Sequence, residues 1–288
     1  MADVVVFGQV AIDIVIRVPT VPRPGEHIAG EGMGWRVGGS SANVACALSS
    51  AGHRVRMVGR IGNDEISAEL LKELKRWGVG TDLITKHSTP SPRTMIILDD
   101  SGERTMISLD PDPTVWQLRP DQVPDLPTAD CVFVESYERY PRTIAKAAPK
   151  AMLVASPPAP GFTEWPADVV IGSEAQLPDT ELATPFPYVA AAAGSRLRWV
   201  VITQGSHGAT AHSADSSTRV EARPADQVDA TGAGDAFAAG LIHGLLSERD
   251  IKSAMELGMR WGAEAVVRLQ SLPPSWAEVM AAPGGDPG

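Results

Sequence analysis

The sequence predicts an α/β protein: a doubly wound, mostly parallel sheet with helices on both faces, and a small antiparallel β sheet added to it. Three observations carry this expectation. Short β-branched runs alternate with helix-period segments along most of the chain. Two segments break that alternation with strand–turn–strand patterns. Two Gly-rich stretches each open a helix, which is where parallel sheets present ligand sites. With 288 residues, 43% of them hydrophobic, the chain can build one large core.

The strand runs fall at residues 4–7, 54–58, 131–134, 152–155, 169–171 and 199–203, and the helical patterns at 42–51, 65–77, 142–148, 189–193, 235–246 and 251–269. In the second helix Ile66, Leu70, Leu74 and Trp77 share one face, and Gly78 supplies the stop. The first break joins 12–18 to 27–37 through a Pro- and Gly-rich turn. The second places 94–98 and 105–109 on either side of Asp99-Asp-Ser-Gly102, a β-hairpin pattern. These pieces, at about 12–18, 27–37 and 94–109, form the small sheet, inserted into a single domain spanning 1–288. The Gly/Pro-rich tail, 282–288, is expected to be disordered.

The formal net charge is −10 and there is no basic tract, which argues against nucleic acid or an anionic membrane as a main partner. Cys46 and Cys131 read as small buried residues, and the six histidines have no metal-ligand spacing. No run reaches membrane-span length, and the N-terminus enters a strand without a basic leader, so a soluble cytoplasmic protein is expected.

Asp229-Ala-Thr-Gly-Ala-Gly-Asp-Ala-Phe-Ala-Ala-Gly240 sets Asp235 directly behind Gly232, Ala233 and Gly234 at the start of a helix. Uncovered amides at a helix N-terminus hold an anion, and a carboxylate beside them can orient and deprotonate a hydroxyl, as phosphoryl transfer requires. A carboxylate in that place is expected to have a low pKa. Upstream, Val37-Gly-Gly-Ser-Ser-Ala-Asn43 leads into a helix that Ser40 or Ser41 can cap and Gly52 can end, with Asn43 in the first turn facing a polar ligand.

Together the two stretches closely resemble the signature motifs of the ribokinase-like (PfkB) carbohydrate kinase family. Gly8-Gln-Val-Ala-Ile-Asp13, Pro22-Arg-Pro-Gly-Glu26, Gly59-Arg-Ile-Gly-Asn-Asp64, Gly102-Glu-Arg-Thr105 and Thr203-Gln-Gly-Ser-His-Gly208 follow in family order. The resemblance implies a ribokinase-like fold whose small sheet is a lid over the sugar. It implies an ATP- and magnesium-dependent kinase acting on a hydroxymethyl group of a sugar or sugar-like alcohol. Asp235 would be the base, with Gly232, Ala233 and Gly234 as the anion hole and Thr231 beside the phosphates. Asp13, expected at the first strand's exit, Gly39 and Asn43 would hold the acceptor, joined by Glu135 with Tyr137 and Arg139 close by. Ser173, Thr203, Gly205 and Gly208 would line the nucleotide.

The chain departs from the family pattern at four places. Ser173-Glu-Ala-Gln176 replaces Asn-x-x-Glu, which argues against the usual water-mediated magnesium arrangement and leaves Glu174 as a partial substitute. Ser40 replaces the lysine of true ribokinases, which disfavours ribose. Met259 stands where a nucleotide-contacting Asn is common. Leu269-Gln-Ser271 replaces the monovalent-cation segment, which argues against potassium activation. A nucleoside kinase of the same fold is the alternative acceptor class, and a catalytically silent sugar- or nucleotide-binding protein the alternative from outside enzymes. A dinucleotide-dependent oxidoreductase fails because Gly8 is not part of G-x-G-x-x-G. A homodimer through the lid is expected, since Ile14, Ile16, Val18, Met95, Ile97, Met106 and Leu109 supply more apolar surface than one sugar-facing side needs.

Overall fold

The computed structural model describes residues 1–102, 104–110, 117–135, 138–158, 163–178 and 182–282. Tyr137 and positions 283–288 of the expected disordered tail lie outside the described residues. The large sheet has nine strands: β1 (Asp3–Phe7), β4 (Arg54–Gly62), β5 (Ile84–His87), β8 (Cys131–Val134), β9 (Met152–Ala155), β10 (Val169–Ser173), β11 (Trp199–Thr203), β12 (Ala209–His212) and β13 (Ser217–Val220). Their order is β13-β12-β11-β10-β9-β8-β1-β4-β5, parallel from β5 through β11 and antiparallel in the closing hairpin.

Alternation along the central strands explains the layers. Val4 and Val6 point into the core beneath α1 (Ser40–Ser50), α2 (Glu65–Arg76), α5 (Ala233–Leu246), α6 (Ile251–Val266) and α7 (Trp276–Ala281). Val5 and Phe7 point into the opposite core beneath α3 (Pro141–Ala147) and α4 (Pro185–Ala193). All four side chains are fully buried, each worth roughly 1.5–3 kcal/mol relative to exposure. Both cysteines are buried and unpaired.

Every expected strand and helix is present, with ends moved by a few residues. The sequence reading missed β5, which lacks a long apolar run, and the β12–β13 hairpin, where His212, Ser213 and Ser216–Thr218 interrupt the β-branched pattern. It also missed α7, a short helix capped by Ser275 and Glu278.

The second sheet contains β3 (Glu31–Gly38), β2 (Ala11–Arg17), β6 (Arg93–Leu98) and β7 (Arg104–Ser108), in that order. It is antiparallel within each expected hairpin and parallel where the hairpins meet, Ile12 pairing with Arg93 and Arg17 with Leu98. Its two faces differ in character. One row across all four strands reads Arg36, Asp13, Thr94, Ser108; the adjacent row, on the opposite face, reads Trp35, Ile14, Met95, Ile107. Asp13 thus belongs to a strand of the small sheet and not to the exit of β1, a correction that follows from the chain turning between Gly8 and Val10 before β2 begins.

Candidate active site

The site residues gather at the carboxyl edge of the large sheet. Glu135 follows β8 directly, and Ser173 and Thr203 are register partners at the ends of β10 and β11. The start of α5 faces the start of α1, because Ser40 Oγ donates to Asp235 Oδ1 at 2.6 Å and Asn43 Nδ2 to Oδ2 at 2.7 Å. The two Gly-rich stretches, nearly two hundred residues apart, therefore meet on one carboxylate.

Backbone geometry permits this meeting. Gly39 follows β3 and precedes α1 with φ 92°, and a Cβ there would lie 2.5 Å from the Gln9 carbonyl oxygen. Gly232 precedes α5 with φ 77°, and a Cβ there would lie 2.5 Å from the Ser271 carbonyl oxygen. Any other residue would be strained at both positions and would push the loops apart. Neither Ser40 nor Ser41 caps α1: Gly39 holds the cap position without a side-chain bond. The two hydroxyls are spent on carboxylates instead, Ser40 on Asp235 and Ser41 on Glu135 Oε2 at 2.7 Å.

Asp235 does not have the low pKa expected of a helix N-terminus. Burial raises it, while the Ser40 and Asn43 bonds and the charge of Arg104 pull the other way, and Asp13 adds to the rise. The surrounding groups withdraw the carboxylate from water, and Asp13 lies near enough to add to the rise. Glu135 is raised by burial against the bonds from Ser41 and the Gln9 amide, with Asp235 adding to the rise. Asp13 is likewise raised by burial, opposed by the Ser271 hydroxyl, which donates to Oδ2, and by Arg36. The result is a group of carboxylates whose negative charge is held in check by hydroxyl, amide and guanidinium donors.

Two side-chain atoms here, Asn43 Oδ1 and Thr231 Oγ1, are buried without a partner among the described residues. Such atoms cost free energy unless a ligand meets them. Glu174 is exposed beside β10 in a short turn, and Gln176 is committed to the Ser173 amide at 2.8 Å. The Gly205–His207 turn follows β11. At Gly208 an added Cβ would lie 2.1 Å from the Val220 carbonyl oxygen, so packing of β12 on β13 already accounts for this glycine. Arg139 is described, but no bond places it in the site. Met259 packs against the apolar core.

Sequence reasoning gave Ser41 only a capping role, and gave none to Arg36, Asp229 or the Ser271 side chain. Asp229 opens the second signature, but its partner Arg36 lies on a distant strand, and no local pattern signals the pairing. Ser271 was read only as an altered cation segment, whereas its hydroxyl holds Asp13.

The description "pfkB family carbohydrate kinase" matches residues 1–277. The chain belongs to that family. Among its relatives, the deoxyribokinase of Salmonella typhi is 24% identical, the alignment covering 92% of each chain. The ribokinase of Schizosaccharomyces pombe is 28% identical, over 93% of each. The structure of ribokinase from Cryptococcus neoformans var. grubii in complex with ADP superposes with a TM-score of 0.77 at 23% identity, covering 97% of this chain and 99% of that one. The fold is accordingly ribokinase-like. As a pfkB carbohydrate kinase the protein is a phosphotransferase with an alcohol group as acceptor.

Proposed function

We propose that the protein transfers the γ-phosphoryl group of ATP to a hydroxymethyl group of a sugar or sugar-like alcohol, with Asp235 as the group that orients and deprotonates that hydroxyl. The observation that carries this reading is the Asp235 carboxylate, held between Ser40 and Asn43 at the head of α5. Its raised pKa suits a base better than the expected low one, because the best catalytic pKa approaches the working pH. In a loose transition state the hydroxyl keeps its proton until late, so the two donors that fix the carboxylate matter as much as its basicity.

The amides of Gly232 and Gly234, with Thr231 alongside, hold the phosphoryl oxygens at the positive end of α5; the Ala233 amide, expected to join them, is instead bonded to the Ala230 carbonyl at 3.3 Å. Asp13 and Asn43 Oδ1 accept hydrogen bonds from acceptor hydroxyls, and Gly39 and Glu135 close that end of the pocket. Ser173, Thr203 and Gly205 lie where the nucleotide runs across the ends of β10 and β11; Gly208 serves the hairpin. Bound magnesium would neutralise charge on the phosphates. Exposed Glu174 would meet through water an ion carried in by the nucleotide.

The small sheet acts as the lid: its polar row Arg36, Asp13, Thr94 and Ser108 faces the acceptor. Its opposite face, with Trp35 52% and Ile107 45% exposed, pairs with the lid of a second copy. No helix among the described residues is long and apolar enough to cross a membrane.

The test is ADP release by the purified protein with ATP and magnesium, across pentoses, hexoses, sugar acids, sugar phosphates and nucleosides, with Asp235→Asn in parallel. An acceptor-dependent signal that Asp235→Asn lowers by roughly 10²–10⁴-fold is expected. No signal with any acceptor, or an undiminished one in the variant, would overturn the reading.

A further inference from the structure

Arg36 lies outside every motif that pointed to the site, yet it makes the ion pair that joins the small sheet to the loop ahead of α5. Its Nη2 donates to Asp229 Oδ2 at 2.9 Å, with the Arg36 side chain 20% and the Asp229 side chain 1% exposed. The other carboxylate oxygen, Oδ1, accepts the Thr231 amide at 2.8 Å, one residue before Gly232. The Asp229 backbone is tied to the end of α6 through the Val266 carbonyl. Asp229 is thus the fixed base of the turn that presents residues 231–234, and Arg36 supplies the counter-charge. On the sheet, Arg36 is the cross-strand neighbour of Asp13, whose own carboxylate accepts from Ser271, the residue packed against Gly232. Two contacts therefore run from the same row of the sheet to the same turn, one ionic and one through a hydroxyl.

We infer that Arg36 is a positioning residue for phosphoryl transfer: through Asp229 it holds the turn at residues 231–234 in its anion-binding shape when the small sheet is down, and it cancels a buried negative charge beside the path of the phosphates. The inference rests on the kinase reading above. Without the guanidinium, Asp229 is an uncompensated buried carboxylate, which must draw in solvent or leave its place. Either change weakens its hold on the Thr231 amide, and a bare carboxylate would repel the transferring group. Lysine at this position keeps the charge but lacks the planar fork, so it restores part of the effect. The Arg36 Nε–H is buried and unpartnered among the described residues, which leaves the guanidinium one donor free for a ligand.

The experiment compares wild type, Arg36→Ala, Arg36→Lys and, as a control for loss of an ion pair elsewhere on the sheet, Arg17→Ala, whose partner is the exposed Asp100. Wild-type turnover is measured first, so that absence of any kinase activity counts against the kinase reading alone. Arg36→Ala should lose about 10–100-fold in kcat at saturating ATP and acceptor, the size of a charge-assisted contact, with ADP affinity by calorimetry changed much less. Arg36→Lys should recover part of the loss and Arg17→Ala should match wild type. Millimolar guanidinium, set against equal urea, should raise the rate of Arg36→Ala and leave wild type unchanged. A wild-type kcat in Arg36→Ala would overturn the inference. So would a loss confined to thermal stability, or one that neither lysine nor guanidinium relieves.

Discussion

Replacing Ser40 by alanine removes one of the two side-chain donors on Asp235 and leaves the other in place. The Ser40 hydroxyl approaches the carboxylate at 2.6 Å, a short charge-assisted bond that lowers the carboxyl pKa against the rise caused by burial. Such a bond contributes about 1.5–3 kcal/mol. Losing it should raise the Asp235 pKa further, in proportion to that free energy. The carboxylate must be ionised to accept a proton, so activity falls as pH drops through that pKa. The acid limb of the kcat profile in Ser40→Ala should therefore move to higher pH, while the rate on the plateau drops only modestly because Asn43 still fixes the other oxygen. Asn43→Ala should shift the limb in the same direction. Steady-state rates in a constant-ionic-strength buffer series, with circular dichroism to confirm the fold, would measure it. An acid limb that stays put in a folded Ser40→Ala protein would refute the assignment of that limb to Asp235.

Gly232→Ala should cost roughly 1–3 kcal/mol from its left-handed φ alone, plus displacement of the Ser271 carbonyl, and should depress kcat more than acceptor binding; thermal unfolding and kinetics together check this. Asp13→Ala should weaken acceptor affinity strongly by calorimetric titration while ADP affinity holds, since it deletes an acceptor for hydroxyls and releases Ser271. His53 and His243 share a hydrogen bond of 2.8 Å, and burial lowers both, His243 from 6.5 to about 4. The unfolded chain then binds more protons in that window, so stability should be fully present above pH 6.5 and fall as pH drops from 6.5 towards 4; His243→Asn should flatten this part of the melting-temperature profile. Trp35→Glu should convert a lid-paired dimer into a monomer near 30 kDa by light scattering, and a wild-type protein already monomeric with substrates bound would refute the pairing.

The parts legible in the sequence were those written in local pattern. Apolar runs such as Val4–Val-Val-Phe7 announce buried strands, and glycines before residues 40 and 235 announce where two helices open. What pattern could not supply was pairing at a distance. That Ser40 bonds Asp235 and not the end of its own helix depends on α1 and α5 meeting, which no window of sequence contains. The same holds for the raised pKa of Asp235: the helix dipole is local and readable, but the neighbours that bury the carboxylate are not. Strand β5 escaped because Lys86 and His87 dilute its apolar character at an edge, and the parallel join of β2 to β6 escaped because each hairpin reads as complete in itself.

That parallel join constrains how the chain folds. Strands β2 and β6 pair side by side from Ile12–Arg93 to Arg17–Leu98, yet β3, α1, β4, α2 and β5 lie between them in sequence. Each hairpin can close early by itself, since its strands are linked by a short stretch of chain. Joining them requires ends some eighty residues apart to meet, an entropic cost that is recovered only once the intervening strands and helices have condensed. The small sheet should therefore assemble after the part of the large sheet built from β1, β4 and β5. In amide hydrogen exchange, the bonds between β2 and β6 should open before those between β1 and β4.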